Sequence, residues 1–231
     1  MKKTIMLLTA VFLLAVARLA AADKWTGLSK YDSQNATLVA ARNMGNRVVF
    51  MGNSITELWL SVDPGFFAAH SNFINRGISG QTTYQMLVRF RSDVVNLQPK
   101  VVVILGGTND IAENAGLVYN ENRTLGNIVT MVELARLHKI KPIVCSVPPC
   151  ASYYWSKTAT GIQLKILRLN ERLAAYCKQQ GLPFVDYYTP LVKGADNALN
   201  PDYTKDGVHP NLAGYKVMEP IILKAVSKYV K

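Results

Sequence analysis

Short apolar runs alternate with longer amphipathic segments along most of this chain. Runs rich in β-branched residues at 48–50, 101–105 and 142–146 have the length and composition of buried strands. Shorter runs at 73–75 and 184–186 predict two further strands. Apolar residues at helical spacing predict the intervening helices, at 28–44, 82–95, 124–138, 162–180 and 211–230.

Strands and helices that alternate in this way predict an α/β fold, a doubly wound parallel sheet of five strands with helices on both faces. No repeat or linker divides the chain, so we expect one domain over residues 23–231. In such sheets, ligands bind at the carboxyl ends of the strands. Polar, glycine-rich turns at Ser54, Gly80, Asn109 and Asp206/His209 are expected to converge on that edge.

The first 22 residues have the pattern of a secretory signal peptide. Lys2 and Lys3 precede an apolar run over 5–17, and three alanines stand before Asp23. The run is short for a membrane span, and Arg18 interrupts its flank. We therefore expect an exported chain, periplasmic or secreted, without an integral membrane segment after signal removal. The sequence leaves its oligomeric state open.

The formal net charge is +11, and loss of Lys2, Lys3 and Arg18 with the signal leaves +8. Basic proteins can bind nucleic acid, but these lysines are scattered and form no long run, so no nucleic acid partner is expected. The three cysteines have no zinc-site spacing, and we expect neither a metal nor a cofactor. Cys145 and Cys150 are close enough in sequence to form a disulfide, or all three cysteines are small buried residues.

Ser54, Asp206 and His209 could supply a nucleophile, a base and a group that orients the base. Serine is a weak nucleophile unless an imidazole accepts its proton, and the imidazole needs an acceptor at its other nitrogen. Asp206 precedes His209 by three residues and could fold onto its Nδ1 side. The alternatives are that Ser54 caps a helix, and that Asp206 is a capping residue beside a surface histidine.

Acyl transfer also needs donors to the tetrahedral oxyanion. The backbone N–H groups of Ser54 and Gly80 and the side-chain amide of Asn109 are the candidates. Gly80 could instead be an ordinary turn glycine, and Asn109 an Asx-turn residue.

These turns contain four blocks that together resemble the SGNH hydrolases, also called GDSL-type esterases. The blocks are Gly-Asn-Ser-Ile at 52–55, Gly-Ile-Ser-Gly at 77–80, Gly-Gly-Thr-Asn-Asp at 106–110 and Asp-Gly-Val-His-Pro at 206–210. The resemblance implies a flavodoxin-like three-layer sandwich with strand order 2-1-3-4-5 and metal-free hydrolysis of esters. It further implies Ser54 as nucleophile, His209 as base, Asp206 as its partner, and Ser54, Gly80 and Asn109 as oxyanion donors. Asn53 departs from the aspartate usual in the family.

The substrate is less determined by the sequence. Four aromatic residues on segments expected near the edge could contact it, or could instead pack beneath the long loops: Trp59, Tyr153, Tyr154 and Trp155. Rings of this kind suit a sugar or a short acyl chain, so we expect a serine esterase acting on short-chain, acetyl-type esters of glycans. One alternative is a lysophospholipase or platelet-activating-factor-type lipid acylhydrolase. Another is a glycan-binding module without turnover.

Overall fold

A five-stranded parallel sheet forms the centre of the molecule. The computed structural model describes residues 23–41, 46–194 and 196–230. The strands lie in the order β2-β1-β3-β4-β5, which confirms the predicted flavodoxin-like arrangement. Their bounds are β1 Val48–Gly52, β2 Phe73–Gly77, β3 Val101–Leu105, β4 Lys141–Cys145 and β5 Phe184–Val185.

Helices cover both faces of the sheet and complete a three-layer sandwich. In chain order they are α1 Asp32–Ala40, α2 Ser54–Val62, α3 Pro64–Ala69, α4 Thr83–Asp93, α5 Thr108–Ile111, α6 Glu121–Leu137, α7 Ile162–Gln180, α8 Tyr188–Leu191 and α9 Leu212–Val226. Apolar side chains of α4, α6 and α7 pack on one face. Those of α2, α3 and α9 pack on the other.

The central strands are apolar throughout because each face of the sheet is buried. Side chains alternate across a strand, so Val49 and Met51 of β1 lie in one core, and Val48 and Phe50 lie in the other. The register places Val48 opposite both Phe73 and Val101. Strand β1 therefore lies between β2 and β3, and the turn after β1 carries Ser54.

The structure differs from the predicted elements at a few places. The helix expected over 28–44 begins as a 3₁₀ turn, Leu28–Tyr31. Its last residues, 42–44, lie outside the described residues, as does the predicted signal at 1–22. An antiparallel pair, β6 Val192–Lys193 and β7 Ala198–Leu199, was not predicted because two residues are too few for a periodic pattern. Within the described ranges, no helix is both long and apolar enough to cross a membrane.

The three cysteines are buried free thiols. Cys145 and Cys150 are therefore not joined in the structure, in agreement with the interpretation of small buried residues. Burial raises the pKa of the Cys150 thiol to about 12.

Candidate active site

The turn after β1 presents Ser54 at the first position of α2. The side chain of Asn53 caps this helix, because its Oδ1 accepts from the N–H of Ile55 at 3.0 Å. A Cβ at Gly52 would lie 2.0 Å from Thr56 Oγ1, so only glycine lets the helix fold back so closely on the strand. Asn53, rather than Ser54, is thus the capping residue, and the Ser54 hydroxyl can serve another purpose.

A hydrogen-bonded chain joins Ser54, His209 and Asp206. The Ser54 Oγ lies 2.9 Å from His209 Nε2, although the two residues are separated by 155 positions in sequence. On the other side of the ring, His209 Nδ1 lies 2.7 Å from Asp206 Oδ2. Asp206 thus folds onto the Nδ1 side of the ring, where its spacing from His209 would place it. This order of hydroxyl, imidazole and carboxylate is the arrangement in which a base can accept the serine proton.

The loop before α9 fixes the Asp206 carboxylate. The backbone N–H groups of Val208 and His209 donate to Asp206 Oδ1 at 2.9 and 2.8 Å. Burial alone would raise the pKa of Asp206, but the hydrogen bonds from the His209 ring and from these two N–H groups outweigh it and lower the pKa to about 2. Asn211 caps α9, so Asp206 is not the capping residue of that helix.

Gly80 and Asn109 line the same cleft as Ser54. Gly80 has a φ of +78°, in the left-handed region that favours glycine. The Asn109 side chain is 2 % exposed, and its Nδ2 donates to the carbonyl of Gln81 at 2.9 Å. Within the described part of the chain, the N–H groups of Ser54 and Gly80 have no hydrogen-bond acceptor. Both could therefore donate to an oxyanion that forms in the cleft.

Asn114 holds this part of the cleft together and was missed by the sequence analysis. Its Nδ2 donates to Asn109 Oδ1 at 3.0 Å and to the carbonyl of Gly80 at 3.1 Å. Its Oδ1 accepts from Trp155 Nε1 at 2.8 Å. Asn114 lies outside the four blocks. Its polar side chain and its position five residues after Asn109 are the features of the sequence that could have indicated it.

Glu57 was also missed, and it links α2 to the Gly80 loop. Its Oε2 accepts from the N–H of Ser79 at 2.6 Å, and its Oε1 pairs with Lys30. Burial alone would raise the pKa of Glu57, but the Lys30 and Ser79 hydrogen bonds lower it overall. A glutamate three residues after Ser54 could have many roles, so the sequence alone does not predict that Glu57 binds the backbone of the Gly80 loop.

The cleft that contains these groups is small and open. Its volume is about 280 Å³, and Leu58, Tyr154 and Trp155 complete its lining. Trp155 stacks beside the His209 ring, with centroids 6.2 Å apart, and Tyr154 is 70 % exposed. These two aromatic residues lie where a substrate would contact them.

The other two aromatic predictions are wrong. Trp59 is 2 % exposed and stacks between Phe66 and Tyr215 in the core beneath α2. Tyr153 is 3 % exposed and belongs to the core on the opposite face of the sheet. Whether each ring faces the core or the cleft depends on its packing against other residues. The sequence indicates only that the segment lies near the edge of the sheet, which does not determine the orientation of the ring.

Comparison with known proteins identifies the family of this chain. The profile of the GDSL-like Lipase/Acylhydrolase family matches residues 50–217, a range that includes Ser54, Gly80, Asn109, Asp206 and His209. The chain belongs to this family. The predicted membership of the SGNH hydrolases is thereby confirmed, and the protein is a hydrolase of ester bonds.

Solved structures and one sequence relative are similar to this chain. A GDSL-like lipase from Bacteroides thetaiotaomicron is 50 % identical, with a TM-score of 0.85 over 88 % of this chain and 98 % of that one. Axe2, an acetylxylan esterase from Geobacillus stearothermophilus, shares the fold at 16 % identity, with a TM-score of 0.64 over 81 % of this chain and 97 % of that one. The uncharacterised lipoprotein YqeF of Bacillus subtilis (strain 168) is 35 % identical over 40 % of this chain, a match that spans only 39 % of that protein.

Proposed function

We propose that this family member is a serine esterase that hydrolyses short-chain acyl esters, acetyl esters above all, on glycans. The observation that carries the proposal is the 2.9 Å contact between Ser54 Oγ and His209 Nε2, continued at 2.7 Å to Asp206. The cleft around Ser54 holds about 280 Å³, enough for a small acyl group beside the edge of a sugar ring.

The proposed reaction proceeds through an acyl-enzyme. Ser54 Oγ attacks the ester carbonyl while His209 Nε2 takes its proton, and Asp206 stabilises the resulting imidazolium. The oxyanion accepts hydrogen bonds from the N–H groups of Ser54 and Gly80 and from Asn109 Nδ2. Collapse breaks the bond to the alcohol oxygen, which receives the proton from His209. Water then attacks the acyl-enzyme by the same steps and releases the acid.

Substitution of the nucleophile tests this proposal. Ser54→Ala should retain the fold and lose a factor of roughly 10⁴ or more in kcat on p-nitrophenyl acetate. Ser61→Ala is a matched control, because Ser61 is an exposed serine on the same helix and its hydroxyl only donates to the carbonyl of Leu58. A Ser54→Ala variant that matched wild type would overturn the assignment. Treatment with EDTA should leave wild-type activity unchanged.

Two alternative functions, a lipid acylhydrolase and a glycan-binding module without turnover, can be distinguished from the proposed one by experiment. A mainly apolar groove of about 790 Å³ adjoins His209. Its apolar lining residues are Leu58, Val62, Pro210, Leu212 and Ala213, and its polar ones are Lys205, Asp206, Asn211 and Lys216. This groove favours the lipid acylhydrolase as a second candidate, since it could accept an acyl chain. A glycan-binding module without turnover would not react with a fluorophosphonate, whereas an activated Ser54 would be labelled.

The location of the protein is also a proposal. The basic and apolar pattern of residues 1–22 supports export, and the partial relative YqeF carries the name of a lipoprotein. Fractionation of cells that express the full chain, with N-terminal sequencing of the product, tests for cleavage before Asp23. Recovery of the intact chain in the cytoplasm would contradict the proposal.

A further inference from the structure

Another cavity, distinct from the groove beside His209, lies next to the cleft of Ser54 and is lined in part by a tryptophan. Trp25 and Lys24 form one side of this cavity, which holds about 470 Å³. The cavity and the cleft share three residues, Ser79, Gly80 and Asn114. The two spaces therefore adjoin each other at the loop that carries Gly80, a proposed oxyanion donor.

The backbone of the segment that carries Trp25 is held by buried side chains. Gln85 Nε2 donates to the carbonyl of Trp25 at 2.7 Å, and Gln81 Nε2 donates to the carbonyl of Thr26 at 2.9 Å. Both glutamines are buried, with exposed fractions of 7 % and 4 %. Gln81 immediately follows Gly80, so the segment that carries Trp25 is attached directly to the oxyanion loop.

The side chain of Trp25 nevertheless remains 41 % exposed. A large aromatic ring that is held by its backbone and left open to solvent offers a flat apolar face. Lys24 supplies an ammonium donor, and Asn114 Oδ1, on the wall shared with the cleft, has a second lone pair beyond the one that accepts from Trp155. A sugar ring has the matching chemistry, because its C–H face can stack on tryptophan while its hydroxyls bond to polar groups.

We propose that Trp25 forms a second sugar subsite, which binds the ring next to the acylated ring of an oligosaccharide. This inference rests on the proposed esterase function and specifies its substrate as a glycan of at least two rings. Trp155 in the cleft and Trp25 in the neighbouring cavity then contact successive parts of one substrate, on opposite sides of Asn114. An acyl chain fits this cavity less well, since Lys24, Gln81 and Asn114 bring polar side chains to its lining.

The test compares ester substrates that differ only in glycan length. The probes are acetylated xylo-, manno- and chito-tetraoses, the matching acetylated monosaccharides, and p-nitrophenyl acetate. We expect wild type to prefer at least one tetraose ester over its monosaccharide, and Trp25→Ala to reduce that preference about tenfold. Trp25→Phe should restore part of it, because phenylalanine retains an aromatic face.

Leu137→Ala is the matched control, since Leu137 is 75 % exposed and ends α6 at the opposite edge of the sheet. It should leave every ratio unchanged. If wild type cleaves p-nitrophenyl acetate but prefers no tetraose, or if Trp25→Ala retains the preference, the subsite is overturned while the esterase stands. If wild type cleaves none of these esters, the proposed function itself fails.

Discussion

The guanidinium of Arg89 donates from Nη2 to the carbonyl of Gly52 at 2.9 Å. Gly52 is the last residue of β1, two positions before Ser54. Arg89 is wholly buried, and its Nε also donates to Gln81 Oε1 at 2.6 Å, next to Gly80. One side chain therefore joins the turn that carries Ser54, the proposed nucleophile, to the loop that carries Gly80, a proposed oxyanion donor. Its charge is balanced by Asp93, whose Oδ2 lies 2.8 Å from Nη1.

Removing Arg89 should destabilise the protein strongly. Arg89→Met leaves the Asp93 carboxylate buried and unpaired, which costs about 3–5 kcal/mol in the free energy of unfolding. Urea unfolding followed by circular dichroism measures the difference. In the matched double variant, Arg89→Met with Asp93→Leu, neither charge remains, and the loss should be clearly smaller. Equal losses in the two variants would show that the ion pair itself is not the cause.

The sequence predicted the parts of the site that local rules determine. A strand followed by glycine and small polar residues gives a tight turn at the sheet edge, and this rule alone assigns Ser54, Gly80 and Asn109 to that edge. The spacing of three residues between Asp206 and His209 likewise predicted that the carboxylate could reach the imidazole within one loop.

The remaining parts depend on contacts between distant segments. The apolar pattern of α2 does not distinguish Trp59, which is buried in the core, from its neighbour Leu58, which lines the cleft. Both residues are apolar, and the helix contacts other parts of the protein on more than one side. Arg89 would be assigned to a solvent-exposed position from its charge alone, since arginine is rarely fully buried. Asp93 lies four residues further along the same helix, a spacing that predicts an ion pair, but the acceptors supplied by Gly52 and Gln81 depend on the tertiary fold.

Loss of the Asn109 amide should affect the transition state more than substrate binding. Asn109→Ala removes one proposed oxyanion donor and leaves the Ser54–His209 contact in place, so kcat should fall about 10²–10³-fold with little change in KM. Steady-state kinetics on p-nitrophenyl acetate measure both constants. Asn109→Asp keeps the size but replaces the donor by a carboxylate, and should be at least as slow. A change confined to KM would instead assign Asn109 to substrate binding.

The low pKa of Asp206 predicts a dependence of stability on pH. Because the folded-state pKa, about 2, is below the ordinary value of about 3.9, the ionised carboxylate favours the folded state. That contribution is complete above about pH 4 and is lost as the pH falls towards 2. The difference in Tm between wild type and Asp206→Asn should therefore be present at pH 5 and shrink as the pH is lowered to 2. A difference that stays constant over this range would contradict the lowered pKa.

The preference for acyl length separates the two candidate substrate classes. Each methylene that is buried in a fitting pocket contributes about 0.8 kcal/mol, or roughly a fourfold gain in kcat/KM. If the acyl group occupies the small cleft beside Trp155, this gain ends after a few carbons. We therefore expect p-nitrophenyl acetate and propionate to be the best substrates, with a fall by octanoate.

If the apolar groove beside His209 receives the acyl chain, kcat/KM should instead rise to C8 or beyond. Leu212 is 49 % exposed in that groove, so Leu212→Asp places a charge where such a chain would lie. In a lipid acylhydrolase this variant should lose activity on octanoate selectively and retain activity on acetate. In a short-chain esterase the ratio of the two activities should not change. A maximum at octanoate that Leu212→Asp abolishes would reject the glycan deacetylase and establish the lipid acylhydrolase.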